Sequence, residues 1–154
     1  MTAWYLTAVT FMAATLGVGT TASAQEEIQV RPEQRRWVPF PVFGSGSQMA
    51  VLRGSPQKPG LFVIHVRFPA QSTLPAHTHP IEHVVTVLSG TYYVGMGDKH
   101  DAARLREFPS GSVYNVPANA AHFAETKEEV TLQIIGIGPT NTQYINPAED
   151  PRKK

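Results

Sequence analysis

The sequence predicts an all-β fold, a small antiparallel barrel, and three observations carry that prediction. Thirteen prolines and twelve glycines punctuate the chain. Between them lie short runs rich in β-branched and aromatic residues, the pattern of short strands joined by tight turns. Residues 61–68 alternate with a period of two, Phe62, Ile64, Val66 and Phe68 on one face and Val63, His65 and Arg67 on the other, which marks a half-buried strand. No stretch after residue 24 sustains a helical period long enough to compete. Closing such a sheet on itself removes its edges and leaves an interior mouth for a small ligand. The length of 154 residues suits one domain, and 42% hydrophobic with 16% charged residues implies a packed core. A net charge of +1 gives no footprint for nucleic acid or for an anionic membrane surface.

Residues 1–24 contain no charged side chain and end in Ala22-Ser23-Ala24, a small-x-small cleavage pattern. They read as a secretory signal peptide cut after Ala24, which places the protein in the periplasm or outside the cell, with no membrane contact after cleavage. An uncleaved N-terminal anchor is the competing reading, against which the threonines and glycines of this run make a poor spanning helix. The chain has no cysteine, so neither a disulfide nor a lipid anchored on cysteine is available to it.

Residues 25–47 form an N-terminal arm, in which Gln25 to Pro41 mixes charge with Pro32, Pro39 and Pro41. It is expected to lie extended across a sheet edge or a neighbouring subunit. The barrel spans 48–137. Gln48 to Arg53 is a short strand, Ser55 to Gly60 a turn, and Leu61 to Phe68 the alternating strand. The β-branched run Val84 to Leu88 is a strand that Ser89-Gly90 turns into Thr91 to Met96, as a hairpin. Asp98 to Glu107 is a polar loop with a helical turn near Ala102 to Arg106. Ser112 to Val116, Ala121 to Glu125 and Val130 to Ile137 complete the strands. Residues 138–154 form a tail rich in proline, asparagine and charge.

Chemistry concentrates in Pro75 to Gly90, PAHTHPIEHVVTVLSG. His77 and His79, two apart, point to one face of a strand, and His83 keeps the same parity if the strand resumes after Pro80. His122 follows in NVPANAAHF. Neutral imidazoles are ligands for zinc, copper, iron and nickel. Glu82, one step out of phase, points outward unless a β-bulge after Pro80 turns it in. His65 and His100 read as ordinary polar histidines.

These residues resemble the cupins, whose first motif is G-x5-H-x-H-x(3,4)-E-x6-G and whose second is G-x5-P-x-G-x2-H-x3-N. His77, His79, position 83 and Gly90 fit the first spacing; Gly111, Pro117, position 119 and His122 fit the second. The resemblance runs from about Phe62 to Ile137. It implies a double-stranded β-helix, jelly-roll-like, and a divalent metal (iron, zinc, manganese, nickel or copper) on His77, His79, His83 and His122. Four positions depart from the family: His83 stands where the ligand glutamate is usual, Asn119 and Gln71 replace glycines, and Thr126 replaces the last asparagine. Asparagine tolerates the left-handed backbone that glycine supplies, so that turn can survive.

Val85 and Val87 are expected to continue the inner face from His83, and Ala124 from His122, with Gln133 reaching the pocket from a facing strand. Tyr92 or Tyr93 is expected to place a phenol at the mouth. The resemblance implies a metal-dependent enzyme on a small, oxygen-chelating organic molecule, either dioxygenase-like or a Lewis-acid isomerase or decarboxylase, with Glu82 or Tyr92 as the acid–base group. A non-catalytic barrel that binds or senses a small ligand or the metal is the alternative. Cupins commonly form homodimers by exchanging N-terminal arms, which the arm here fits.

Overall fold

A computed structural model describes residues 29–153; the expected signal peptide and its cleavage point lie outside the described residues. Eleven strands form two antiparallel sheets that face each other. In chain order they are β1 (Val38–Pro39), β2 (Gln48–Arg53), β3 (Gly60–Phe68), β4 (Thr73–Thr78), β5 (His83–Ser89), β6 (Thr91–Met96), β7 (Arg106–Pro109), β8 (Val113–Val116), β9 (His122–Thr126), β10 (Val130–Gly138) and β11 (Gln143–Tyr144). The first sheet has the order β1-β2-β3-β10-β5-β8 and the second β11-β4-β9-β6-β7. The other elements are single 3-10 turns, and among the described residues no helix is long and apolar enough to cross a membrane.

The core lies between the sheets. Alternate residues of β3, β5 and β10 point inward, so that Phe62, Val66, Phe68, Val87 and Val130 are almost wholly buried. Leu74 of β4 and Ala124 of β9 meet them from the second sheet. The alternation legible in residues 61–68 is thus the inner face of a central strand, paired on one side with β2 and on the other with β10.

Three local expectations are corrected. Ser89-Gly90 does not close a hairpin: β5 pairs with β10 and β8, and β6 with β9 and β7. The inward faces of β5 (Val85, Val87) and β6 (Tyr92, Val94) are both apolar and must meet across the core. A hairpin would have set them side by side in one sheet. Gly90 makes the corner with φ +72°, and a side chain there would stand 2.5 Å from the Glu129 carbonyl oxygen. Secondly, the loop before Pro109 contains β7, an edge strand bonded to β6 alone; an edge strand needs no apolar period. Thirdly, the tail is structured: β11 pairs with β4, and the buried Tyr144 donates its hydroxyl to the Val42 carbonyl at 2.6 Å.

The described part of the arm docks on its own sheet edge through β1, Val38 opposite Met49. Before it, Arg35 Nη1 approaches His65 Nδ1 at 3.3 Å, and the Arg67 guanidinium lies 4.1 Å from the centre of the Trp37 ring. His65 is half of a polar pair on this outer face. Its Nε2 is 3.2 Å from Gln133 Oε1, so Gln133 faces away from the barrel interior, contrary to the sequence expectation. The parity of β10, with Leu132 and Ile134 inward, requires this.

Candidate metal centre

The site lies between the two sheets, where β4 and β9 of the second sheet and β5 of the first contribute its histidines. β4 and β9 pair so that His77 and His122 are direct cross-strand partners, their ring centres 4.2 Å apart. His79 follows the end of β4 on the same face, 5.0 Å from the His77 ring. His83 opens β5 in the opposite sheet, with its ring 4.4 Å from that of His79. All four are buried, and all four line one chamber of about 30 Å³ inside the barrel. That is room for a single ion or water.

Three of the imidazoles are oriented by backbone carbonyls. His77 Nδ1 lies 2.7 Å from Pro75 O, His122 Nδ1 3.0 Å from Ala120 O, and His79 Nδ1 2.9 Å from Asn141 O. A carbonyl oxygen only accepts, so each Nδ1 carries the proton and each Nε2 is left with its lone pair. One nitrogen from each of His77, His79 and His122 can be chosen so that all lie within 4.8 Å of one another. Such outer hydrogen bonds fix ring and tautomer in metal sites. His83 differs: its Nε2 stands 3.3 Å from Thr140 Oγ1, and it is not part of that three-nitrogen set.

Burial keeps the rings neutral. It lowers His79 to about 3, helped by the nearby His83, and His83 to about 4, helped by His122. His77 is held well below the ordinary value, by burial first and then by His122 and His79, and burial lowers His122 too. Neutral imidazoles present lone pairs at neutral pH, which a divalent transition ion requires. The donor set therefore fits such an ion: all nitrogen, partly preoriented and enclosed. It does not suit magnesium or calcium, which prefer oxygen.

Above the chamber opens a larger cavity of about 200 Å³ that reaches His79 and His83. Phe40, Phe43, Met49, Phe62 and Ile134 give it apolar walls. Val85 lines the chamber itself, while Val87 and Ala124 continue the inner faces as buried core. Tyr92 is buried against Phe68, ring centres 5.6 Å apart, and lines the chamber, not the mouth. Tyr93 is on the outer face beneath Lys127 Nζ, 4.2 Å from its ring centre. Glu82 is exposed and lines neither cavity. Burial pushes the Tyr92 phenol up, so it stays protonated. His100 forms a pair with Glu125 at 2.7 Å, on the outer side of the second sheet.

Sequence reasoning missed the tail. Thr140, Asn141 and Thr142 all line the outer cavity, and Thr142 Oγ1 is 3.5 Å from His79 Nδ1. Their only signal was a polar stretch after the last core strand. The residues that depart from the family motifs keep its backbone: Gln71 and Asn119 both have φ +61°, the left-handed conformation of the glycines they replace. Thr126 ties the turn before β4, its hydroxyl donating to Pro69 O at 2.8 Å and accepting from Ser72 N at 3.0 Å.

Solved structures share this fold. The polyketide cyclase RemF from Streptomyces resistomycificus is 17% identical over 83% of this chain and 92% of its own, with a TM-score of 0.68. A putative acetylacetone dioxygenase from Methylibium petroleiphilum is 22% identical over 82% and 86%, TM-score 0.63. The salicylate 1,2-dioxygenase of Pseudoaminobacter salicylatoxidans, solved with gentisate, is 16% identical over 64% of this chain and 29% of its own, TM-score 0.52. No curated protein matches this sequence. The profile of the ChrR cupin-like domain matches residues 25–141, most of the chain, and the protein belongs to that family of cupins.

Proposed function

We propose that the protein is an exported, metal-dependent enzyme acting on a small organic molecule that chelates through oxygen. One observation carries this reading: three neutral imidazoles, each pinned by a backbone carbonyl, converge in one buried chamber, and one of them, His79, also lines the adjoining apolar cavity. His77, His79 and His122 would hold the ion, with His83 as the fourth ligand. When bound, a divalent iron, zinc, manganese, nickel or copper supplies a positive charge that polarises a substrate oxygen, for dioxygenase-type or Lewis-acid chemistry. The apolar walls bind the body of the substrate and exclude water. Tyr92, kept protonated, holds its proton at Oη as a hydrogen-bond donor beside the chamber. Fold neighbours named as dioxygenases are consistent with the class.

The test is metal analysis of the purified protein followed by a dioxygen-uptake screen over β-diketones, catechols and stable enols. A bound transition metal with turnover of one of these classes is expected; a metal-free protein that cannot be loaded would overturn the reading. A second reading has its own support. Among the described residues no carboxylate lines either cavity, and histidine is the side chain there suited to act as a base. A barrel that binds a ligand without converting it fits that donor set, and the same screen separates the two by binding without turnover.

Export is inferred from the uncharged run before Ala22-Ser23-Ala24, and mass spectrometry should find Gln25 as the new N-terminus. A homodimer is inferred from the N-terminal arm, of the kind that cupins commonly exchange, and an apolar stripe on the outer face of the first sheet supports it. There Ile137 is exposed beside Leu61, and Val84 and Val113 are exposed nearby.

A further inference from the structure

The barrel and the tail divide the outer cavity chemically. The barrel contributes its apolar wall and two histidines, while the tail contributes most of the other polar groups: Thr140, Asn141, Thr142 and Arg152. Arg152 is the one charged residue of this lining, and it lies beyond residue 141, where the family match ends.

Arg152 is held, not loose. Its Nε donates to Asp150 Oδ1 at 2.8 Å, and its Nη2 to Asp150 Oδ2 at 2.7 Å and to the Thr142 carbonyl at 3.3 Å. The guanidinium also sits 6.0 Å from the Tyr144 ring centre. Asp150 is itself buried, so the fork is fixed from one side. The remaining nitrogen, Nη1, has no acceptor among the described residues. Arg152 is exposed at the rim of the cavity it helps to line, and a planar fork held along one edge with its remaining donor open to solvent suits an oxyanion.

We infer that Arg152 selects the ligand: the cavity takes a compact apolar or aromatic body carrying an anionic oxygen group, a carboxylate or enolate, whose oxygen accepts from Arg152 Nη1. The inference rests on the outer cavity being the ligand site of the proposed function. It adds the charge of the ligand and the residue that reads it.

The test uses the mature full-length protein as purified, with its metal content measured. The probes are 3-phenylpropanoate and its neutral isostere 3-phenylpropanamide, with binding followed by calorimetry. The unmodified protein is expected to prefer the carboxylate. Arg152→Gln should weaken carboxylate binding by roughly tenfold or more, the scale of one charge-assisted hydrogen bond, with little change for the amide. Asp150→Asn removes the competing carboxylate and should leave binding of the anionic probe equal or stronger. A purely structural role for the pair would instead weaken both probes in both variants. That result, the absence of any preference for the carboxylate, or failure of the unmodified protein to bind either probe would overturn the inference. Metal content and turnover report on the proposed function separately, because neither probe is offered as a substrate.

Discussion

His83 decides what kind of centre this is, and removing its nitrogen is the sharpest test of the site. His83→Leu keeps roughly the volume that packs edge-on against Phe62, ring centres 6.0 Å apart, while deleting every donor and acceptor. If His83 is the fourth ligand, its loss must exceed that of an outer partner, which typically costs about 10- to 100-fold in metal affinity, or about 1.4–2.7 kcal/mol. His122→Leu, which removes a member of the 4.8 Å nitrogen set, serves as the comparison. Glu82→Ala should change nothing, since Glu82 is exposed. The assay is competition with a chromophoric chelator at neutral pH, with circular dichroism confirming that each variant is folded.

The structure shapes the expected ranking. His77 and His122 face each other across paired strands and are each pinned from two residues upstream, so losing either should abolish retention. His83 comes from the other sheet, and its Nε2 lies beside Thr140 Oγ1. To ligate through Nε2 it must exchange that hydroxyl for the ion. The expected order of damage is therefore His122→Leu greatest, His83→Leu next, Glu82→Ala none. Should Glu82→Ala strip the metal while His83→Leu keeps it, the parity argument fails, and a bulge after Pro80 brings the carboxylate inward. If His83→Leu binds metal as tightly as the unmodified protein, the centre is a three-histidine site, and His83 serves the ligand.

Three further outcomes are expected. The metal-free protein should lose stability as pH falls below 6.5, because unfolded imidazoles take up protons there while folded His83 resists until about 4; its share alone is about 3 kcal/mol by pH 4. Urea titrations at pH 7.5 and 4.5 read this, and pH-independent midpoints would contradict it. Gly95→Ala should destabilise by about 1–3 kcal/mol through overpacking, because the new methyl would lie 2.3 Å from two ring atoms of the wholly buried Phe123; an unchanged urea midpoint would count against it. Deleting residues 25–36 should shift a dimer toward monomer in sedimentation, and an unaltered mass would argue that the arm serves only its own barrel.

Much of this was legible in the sequence because period-two patterning and histidine parity are local. Phe62 to Phe68 announced their inner face, and His77, His79, His83 and His122 reach one chamber because the spacing of both motifs survives. Asn119 was readable as a glycine substitute because its side chain tolerates the left-handed backbone it adopts. What failed depended on long-range pairing. The Ser89-Gly90 corner looks like a hairpin turn to any local rule, and only the need for Val87 and Tyr92 to face each other across the core separates the two sheets. Gln133 is a different case: the local alternation of Val130, Leu132 and Ile134 already places it on the outer face. The tail was unreadable because its order comes from the surface it covers: Tyr144 is buried against Val42, a partner 102 residues away in sequence.

The carbonyl partners of the histidines explain why the tail and the site belong together. Pro75 and Ala120 each lie two residues before the histidine they orient, so the rings of His77 and His122 are set by their own strand approaches. Asn141 lies 62 residues from His79 and belongs to the tail. The third imidazole is therefore oriented only when the tail lies over the mouth. The same span carries Thr140 to His83 and Thr142 to His79, and it is anchored by the pairing of β11 with β4 and by the Tyr144 hydroxyl on the Val42 carbonyl. Covering the cavity and orienting the third histidine are one structural event. Because backbone carbonyls and not side chains do the orienting, this coupling tolerates substitution at Asn141 but not displacement of the chain that carries it.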